Sequence, residues 1–171
     1  QLPCVFDVSA RTVATQSLNI FGDHSDVYAC RQTGFAMLCE TNPQEVMDLS
    51  PVAHLATIEG KVPFINFFDG FRTSHEIQKI EKWDYADLKE MCNMDAVAAF
   101  RAHALNPEHP AMRGSHENGD VFFQHREACN TAYNELPAIV EKYMAKINEK
   151  LGTNYDLFNY YGAEDADRVI V

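Results

Sequence analysis

Positive charge is scarce in this sequence. Among 171 residues, Lys and Arg number 14 against 25 Asp and Glu, a formal net charge of −11. A nucleic-acid partner calls for a basic face, so that class is set aside. No apolar run approaches the roughly 20 residues that a bilayer-spanning helix needs, and no secretory leader is visible, so no membrane partner is expected. The five cysteines, Cys4, Cys30, Cys39, Cys92 and Cys129, contain no C-x-x-C pair. An odd number at wide spacing argues against a disulfide framework, and against a zinc or iron–sulfur site built from these thiols alone. It fits reduced, mostly buried thiols in an intracellular protein. No G-x-G-x-x-G, phosphate loop or nucleophile elbow occurs. His75-Glu76 has Lys79 where a zinc protease needs its second histidine. Repeats and low-complexity segments are absent as well. The first residue is Gln, and the chain stops within Arg168-Val169-Ile170-Val171, which reads as the opening of a buried strand. The expectation is a piece of a longer polypeptide.

What is present is an ordinary globular balance, 46 % hydrophobic and 23 % charged, long enough for one sizeable domain. Residues 4–8 form a short apolar strand that delivers Ser9-Ala10-Arg11 at its carboxyl end. Residues 12–20 give a mixed signal, a short helix or a second extended piece. Phe21-Gly22-Asp23-His24-Ser25-Asp26 is a polar turn, and Asp26 can cap a short helix over 27–32. Gly34 leads into a second buried strand, 35–39. Asn42 then suits an N-cap, Pro43 the first helical position and Glu45 the first turn. The helix they start is expected to be kinked or divided at Pro51 and stopped by Gly60. The run 64–68 reads as a strand buried on both faces, ending at Asp69-Gly70. Strand, helix and strand in this order predict a β-α-β unit with parallel pairing.

Beyond that unit, Asp84 can cap a helix over 85–91, and a second helix covers 94–104. A long loop, opening with Asn106-Pro107-Glu108-His109-Pro110, runs to Gly119. Asn134 is expected to cap the longest helix, with Pro137 in its first turn and Gly152 after its end. Ile139, Val140, Tyr143, Ile147 and Leu151 form its apolar stripe. The fold class read from this pattern is α/β, a mostly parallel sheet flanked by helices.

Polar groups crowded past the carboxyl end of a buried strand mark the place where ligands bind in open α/β sheets. Arg72, Thr73, Ser74, His75 and Glu76 stand at such a place, and a solvated loop fits the same pattern. Gly22-Asp23-His24-Ser25-Asp26 offers metal-ligand types but matches no zinc spacing. Histidine is a residue type suited to acid–base work, which His24 could do, and a hydrogen-bonding loop histidine fits the same position. Arg11 follows the first buried strand directly. Its guanidinium fork suits a carboxylate or phosphate, or an internal salt bridge.

Four blocks carry a resemblance. They are Ile20-Phe21-Gly22-Asp23-His24-Ser25-Asp26-Val27, the run 31–38, the run Phe67-Phe68-Asp69-Gly70-Phe71-Arg72-Thr73-Ser74-His75-Glu76-Ile77-Gln78-Lys79-Ile80, and Asn106-Pro107-Glu108-His109-Pro110. Together they resemble the pyruvate:ferredoxin (flavodoxin) oxidoreductases, over essentially the whole chain. The resemblance implies oxidative decarboxylation of pyruvate with coenzyme A to acetyl-CoA and CO2, on thiamine diphosphate with Mg2+. Electrons would pass through [4Fe–4S] clusters to ferredoxin or flavodoxin. A fusion of the same core to an NADP-linked reductase and a non-enzymatic binding module of the same fold are the alternatives.

By the resemblance, residues 1–161 are the later part of the domain that embraces the aminopyrimidine of thiamine diphosphate. Residues 162–167 are a linker, and 168–171 start the next domain. Arg11 matches the arginine that binds the pyruvate carboxylate. Asp23 and His24 fall at the active-site rim with no chemistry assigned. The threonine that also touches pyruvate, the activating glutamate, the diphosphate–magnesium ligands and the cluster cysteines are absent from this stretch. The chain alone is therefore expected to be inactive. A homodimer in the cytoplasm of an anaerobe, or in an organelle of an anaerobic eukaryote, is the expected setting of the full-length protein.

Overall fold

The computed structural model describes residues 2–112, 114 and 116–170. Three parallel strands form its sheet, in the order β1-β3-β2: β1 (Val5–Ala10), β2 (Ala36–Glu40) and β3 (Phe64–Asp69). The central strand is the most apolar, and Phe64, Ile65, Asn66 and Phe67 on it are all buried. Burial on both faces is what a continuous apolar run predicts. The register pairs Ala10 with Asp69 and Glu40 with Phe68, so all three strands end at one level. Arg11, Thr41 and Gly70 therefore emerge side by side.

The helix linking β2 to β3, α2 (Pro43–Gly60), begins as the sequence predicts. Asn42 accepts hydrogen bonds from the backbone of Gln44 and Glu45, and Pro43 takes the first turn. Two details differ. The helix is continuous through Pro51. Proline cannot donate to the carbonyl four residues back, that of Met47. The Trp83 indole fills this vacancy, donating to Met47 O at 3.1 Å. The segment after β3 is thereby tied to the helix that precedes it. The second difference lies at the end of the helix. Gly60 remains helical, and Lys61 adopts the left-handed conformation, φ 57°. Gly60 serves another purpose: a Cβ there would sit 2.8 Å from Leu136 Cδ1 and 3.4 Å from Ile139 Cδ1. Its missing side chain lets α2 approach α6 (Asn130–Leu151) closely.

That helix pair carries the main core. Val52, Ala53, Ala56, Val62, Tyr143 and Ile147 are fully buried in it. Burial of Val52, Val62 and Ile147 contributes about 1.5–3 kcal/mol each. The Tyr143 hydroxyl donates to Glu59 Oε2 at 2.6 Å, and Lys142 Nζ meets Glu59 Oε1. Four more helices complete the described residues: α1 (Ser25–Ala29), α3 (Tyr85–Met91), α4 (Met94–Ala102) and α5 (Gly119–Ala128). Asp84 and Asn93 cap α3 and α4 with their side chains.

The long helix departs from expectation at its start. It opens at Asn130, not after Asn134, and Pro137 lies in its interior. Its end is as expected, with Gly152 in the left-handed conformation. The buried stripe is Leu136, Val140, Tyr143, Met144 and Ile147. Residues 12–20 form neither helix nor strand. Residues 168–170 have no regular structure, and Val171, the last residue of the strand expected there, lies outside the described residues. No described helix is long and apolar enough to cross a membrane.

Candidate functional site

The site is built where the three strands end. Arg11 leaves β1 and turns toward the first residue after β3. Its Nε donates to Gly70 O at 2.9 Å, and its Nη2 donates to the same oxygen. Gly70 N in turn donates to Ala10 O at 2.8 Å. The two strand ends are thus stitched in both directions, by backbone one way and by guanidinium the other. Only glycine fits at this crossing. A Cβ on Gly70 would lie 2.3 Å from Ala10 O, 2.5 Å from Arg11 Cγ and 2.8 Å from Ser9 O. Ser74 Oγ also donates to Gly70 O, at 2.5 Å, so the carbonyl that orients Arg11 is itself held.

The backbone of Arg11 is fixed from the opposite side, where its N–H donates to Asp26 Oδ2 at 3.0 Å. This corrects the expected role of Asp26. The side chain is not the N-cap of α1, which begins at Ser25 after His24. It holds Arg11 and also accepts from Val27 N at 2.6 Å. Arg11 is half-buried, and among the described residues no carboxylate forms an ion pair with it. The internal salt bridge that would have explained the residue is not formed. What remains is a cation on a rigid mount, with Nη1 meeting no acceptor among the described residues.

Asp23 and His24 are brought to the same end of the sheet. With Gly22, Glu40, Asn42 and Arg72 they line a cleft of about 650 Å3. Their local roles are structural. Asp23 Oδ1 accepts from Ser25 N at 2.6 Å, and its hydrogen bonds with Ser25 hold the carboxyl below the usual aspartate range. The His24 ring packs edge-on against Phe67, 5.6 Å between centroids. Ser25 Oγ accepts from Val13 N at 2.9 Å, closing the turn onto the chain that follows β1.

The segment 71–76 is a compact turn. Asp69 Oδ2 accepts from Arg72 N at 2.8 Å, and the Phe71 ring contacts both His75 and Phe21. Arg72 reaches the cleft, while Ser74 serves Arg11 through Gly70. A more apolar cleft of about 670 Å3, walled by Met47, Leu55 and Trp83, opens between α2 and the segment after β3. Arg11, Asp23 and His24 do not line it.

Sequence reasoning missed three contributors. Gly70 was legible only as a turn signal, Ser74 only as part of a polar cluster, and Glu40 not at all. Glu40 follows an apolar strand directly, yet it is 1 % exposed and lines the cleft. A charged residue at a strand end carries no sequence signal of whether it is buried.

The family described as pyruvate flavodoxin/ferredoxin oxidoreductase, thiamine diphosphate-binding, matches residues 1–145. A pyruvate-flavodoxin oxidoreductase of Enterobacter agglomerans is 62 % identical over 170 residues, 99 % of this chain and 14 % of that protein. A pyruvate:ferredoxin oxidoreductase of Moorella thermoacetica is 56 % identical over 170 residues, again 99 % and 14 %. A pyruvate dehydrogenase [NADP(+)] of Cryptosporidium parvum is 51 % identical over 169 residues, 99 % of this chain and 9 % of that protein. The chain thus spans about one seventh or less of the length of these relatives. The strand-end site described above lies wholly within the matched residues, and the chain belongs to the thiamine diphosphate-binding family of pyruvate flavodoxin/ferredoxin oxidoreductases.

Proposed function

We propose that this chain is one part of a longer oxidoreductase that decarboxylates pyruvate oxidatively with coenzyme A. The products are acetyl-CoA and CO2, and the electrons go to ferredoxin or flavodoxin. The observation that carries the reading is Arg11, a half-buried guanidinium mounted on Gly70 O at the strand ends, with no carboxylate partner among the described residues. Such a group suits the carboxylate of a 2-oxoacid, which it would hold by charge-assisted hydrogen bonds. Holding that carboxylate fixes the neighbouring keto carbon, and positioning of this kind is the protein's share of the catalysis. Asp23, His24 and Arg72 line the cleft at the same strand ends and are read as the rim of the site, although Arg11 itself is not among the residues that line that cleft.

Thiamine diphosphate, when bound, supplies the electron sink on which the bond between the carboxylate and the keto carbon breaks. The residues present fit one wall of such a site: a polar cleft past parallel strand ends, lined by Asp23, His24, Glu40 and Arg72. Among the described residues no three metal-ligating side chains stand together. By the resemblance, the ligands of magnesium and of the [4Fe–4S] clusters lie mostly in the remainder of the polypeptide. Residues 1–161 are read as part of the pyrimidine-binding domain, 162–167 as a linker and 168–171 as the start of the next domain. A homodimer in the cytoplasm, or in an organelle of an anaerobic eukaryote, completes the reading.

The Cryptosporidium relative, named for NADP(+), keeps in view the alternative of the same core fused to an NADP-linked reductase. Anaerobic assay of the full-length polypeptide distinguishes the readings. Coenzyme A-dependent reduction of ferredoxin or flavodoxin by pyruvate supports the first, and NADP reduction without an added carrier supports the fused form. Absence of any pyruvate-dependent reduction by the cofactor-loaded protein rejects both.

A further inference from the structure

Three buried polar atoms among the described residues lack a hydrogen-bond partner: Glu40 Oε1, Glu40 Oε2 and Asn66 Oδ1. They belong to two residues on adjacent strands. Asn66 lies opposite Leu38 in the β2–β3 register, and Glu40 is two residues further along β2. Two residues apart on a strand means the same face of the sheet, so Glu40 and Asn66 are diagonal neighbours on one face. Orphaned buried polar groups are destabilising, and two residues carrying them at one place call for an explanation.

The orientation of the Asn66 amide is fixed by its other contacts. Its Nδ2 donates to Asp7 Oδ1 at 2.9 Å and to Ser50 Oγ at 2.9 Å. An ionised Asp7 carboxylate accepts only, so the amide cannot be reversed. Asn66 Oδ1 therefore requires a donor, and an ionised Glu40 cannot provide one. A protonated Glu40 can.

We propose that Glu40 is a neutral carboxylic acid at physiological pH, donates its proton to Asn66 Oδ1, and acts as a positioning residue that pins the carboxyl end of β2 to β3. One proton then pairs two of the three orphaned atoms. The surroundings favour it. Burial is the largest influence on Glu40, followed by the negative charge of Asp7 on β1, with Glu45 on α2 adding to both. The Asn66 side chain, by hydrogen bonding to the ionised form, and the backbone of Glu40 oppose them, and the carboxyl is still pushed up to about 9. The other charged groups of the cleft are Asp23, His24, Asp69 and Arg72. Thr41 and Asn42 follow Glu40 directly and line the same cleft, and Asn42 also caps α2. The bond thus sets the position of one wall of the cleft.

The pH dependence has a definite sign. The folded protein holds a proton on Glu40 that the opened chain releases above the ordinary value of 4.5. The contribution to stability is complete below that value and declines as pH rises, levelling off above about 9. Hydrogen exchange read by mass spectrometry on the full-length polypeptide tests this, comparing wild type with Glu40→Gln. The amide of Gln offers an N–H to Asn66 Oδ1 whatever the pH. Over peptides covering β2, exchange of wild type relative to the variant is expected to accelerate by up to about tenfold per pH unit across that window. At neutral pH the variant is expected to be the better protected. Parallel exchange at every pH, weaker protection of the variant at neutral pH, or failure of Glu40→Gln to fold would each overturn the proposal.

Discussion

The Arg11 guanidinium grips the carbonyl of Gly70, and the Gly70 amide donates to the carbonyl of Ala10, the residue before Arg11. A charged side chain that would otherwise roam is held by a peptide group that itself has no freedom. The mount explains how a single cation at the end of an edge strand keeps one direction, and it makes Gly70 as consequential as Arg11.

Gly70→Ala is therefore expected to damage the site without removing any functional group. The added methyl would meet Ala10 O at 2.3 Å and Arg11 Cγ at 2.5 Å, so backbone or arginine must move. Overpacking of this kind costs about 1–3 kcal/mol. In the full-length polypeptide, pyruvate saturation should weaken, and thermal scans should show earlier unfolding of this region. Ser74→Ala removes one of several donors to the same carbonyl and should cost no more than about 1 kcal/mol.

Lys61→Gly is expected to stabilise the chain. Lys61 ends α2 in the left-handed conformation, which strains a side chain by about 1–2 kcal/mol and a glycine hardly at all. The neighbouring change, Gly60→Ala, should do the opposite, because its methyl would meet Leu136 Cδ1 at 2.8 Å. Native-state hydrogen exchange over the end of α2 separates the two. Slower exchange in the first variant and faster exchange in the second is the expected pair.

The same helix shows how far the sequence could be read. Asn42, Pro43 and Glu45 announced its start because capping is a local property, and the structure keeps every contact they implied. The parallel sheet was legible for a similar reason, since an apolar run, a helix and a second apolar run leave few topologies. The rest depended on neighbours distant in sequence. Gly60 looked like a stop, but its role is set by Leu136 and Ile139 on another helix. Pro51 looked like a break, but Trp83 supplies the donor that the Met47 carbonyl lacks. Asp26 looked like a cap, but Arg11 draws it away. At the site, Arg11 could be found from its strand-end position, whereas the burial of Glu40 depends on packing between strands that no local pattern encodes.

Glu59 gives a prediction on the acid side. Burial raises its carboxyl, but hydrogen bonds from Lys142, Tyr143 and Asn93 outweigh this and hold it below the usual glutamate range. A lowered folded value means that its contribution is present above the ordinary 4.5 and is lost as pH falls through the folded value. Glu59→Gln should thus be less stable than wild type at neutral pH, with the gap closing in acid. Urea unfolding at several pH values checks this, and a gap that stays constant would show that Glu59 acts by packing alone. Tyr143→Phe, which deletes a donor to the same carboxylate, should cost about 1.5–3 kcal/mol at neutral pH.

The central claim is that Arg11 receives the substrate carboxylate, and the most direct test is the pyruvate saturation curve of Arg11→Ala in the full-length, cofactor-loaded enzyme. Losing one partner of a buried charge pair costs about 2–5 kcal/mol, so the pyruvate concentration for half-maximal rate should rise at least about tenfold. Arg11→Lys should recover only part of the loss, because an ammonium cannot reproduce the fork. A saturation curve that coincides with that of the wild-type enzyme would contradict the account.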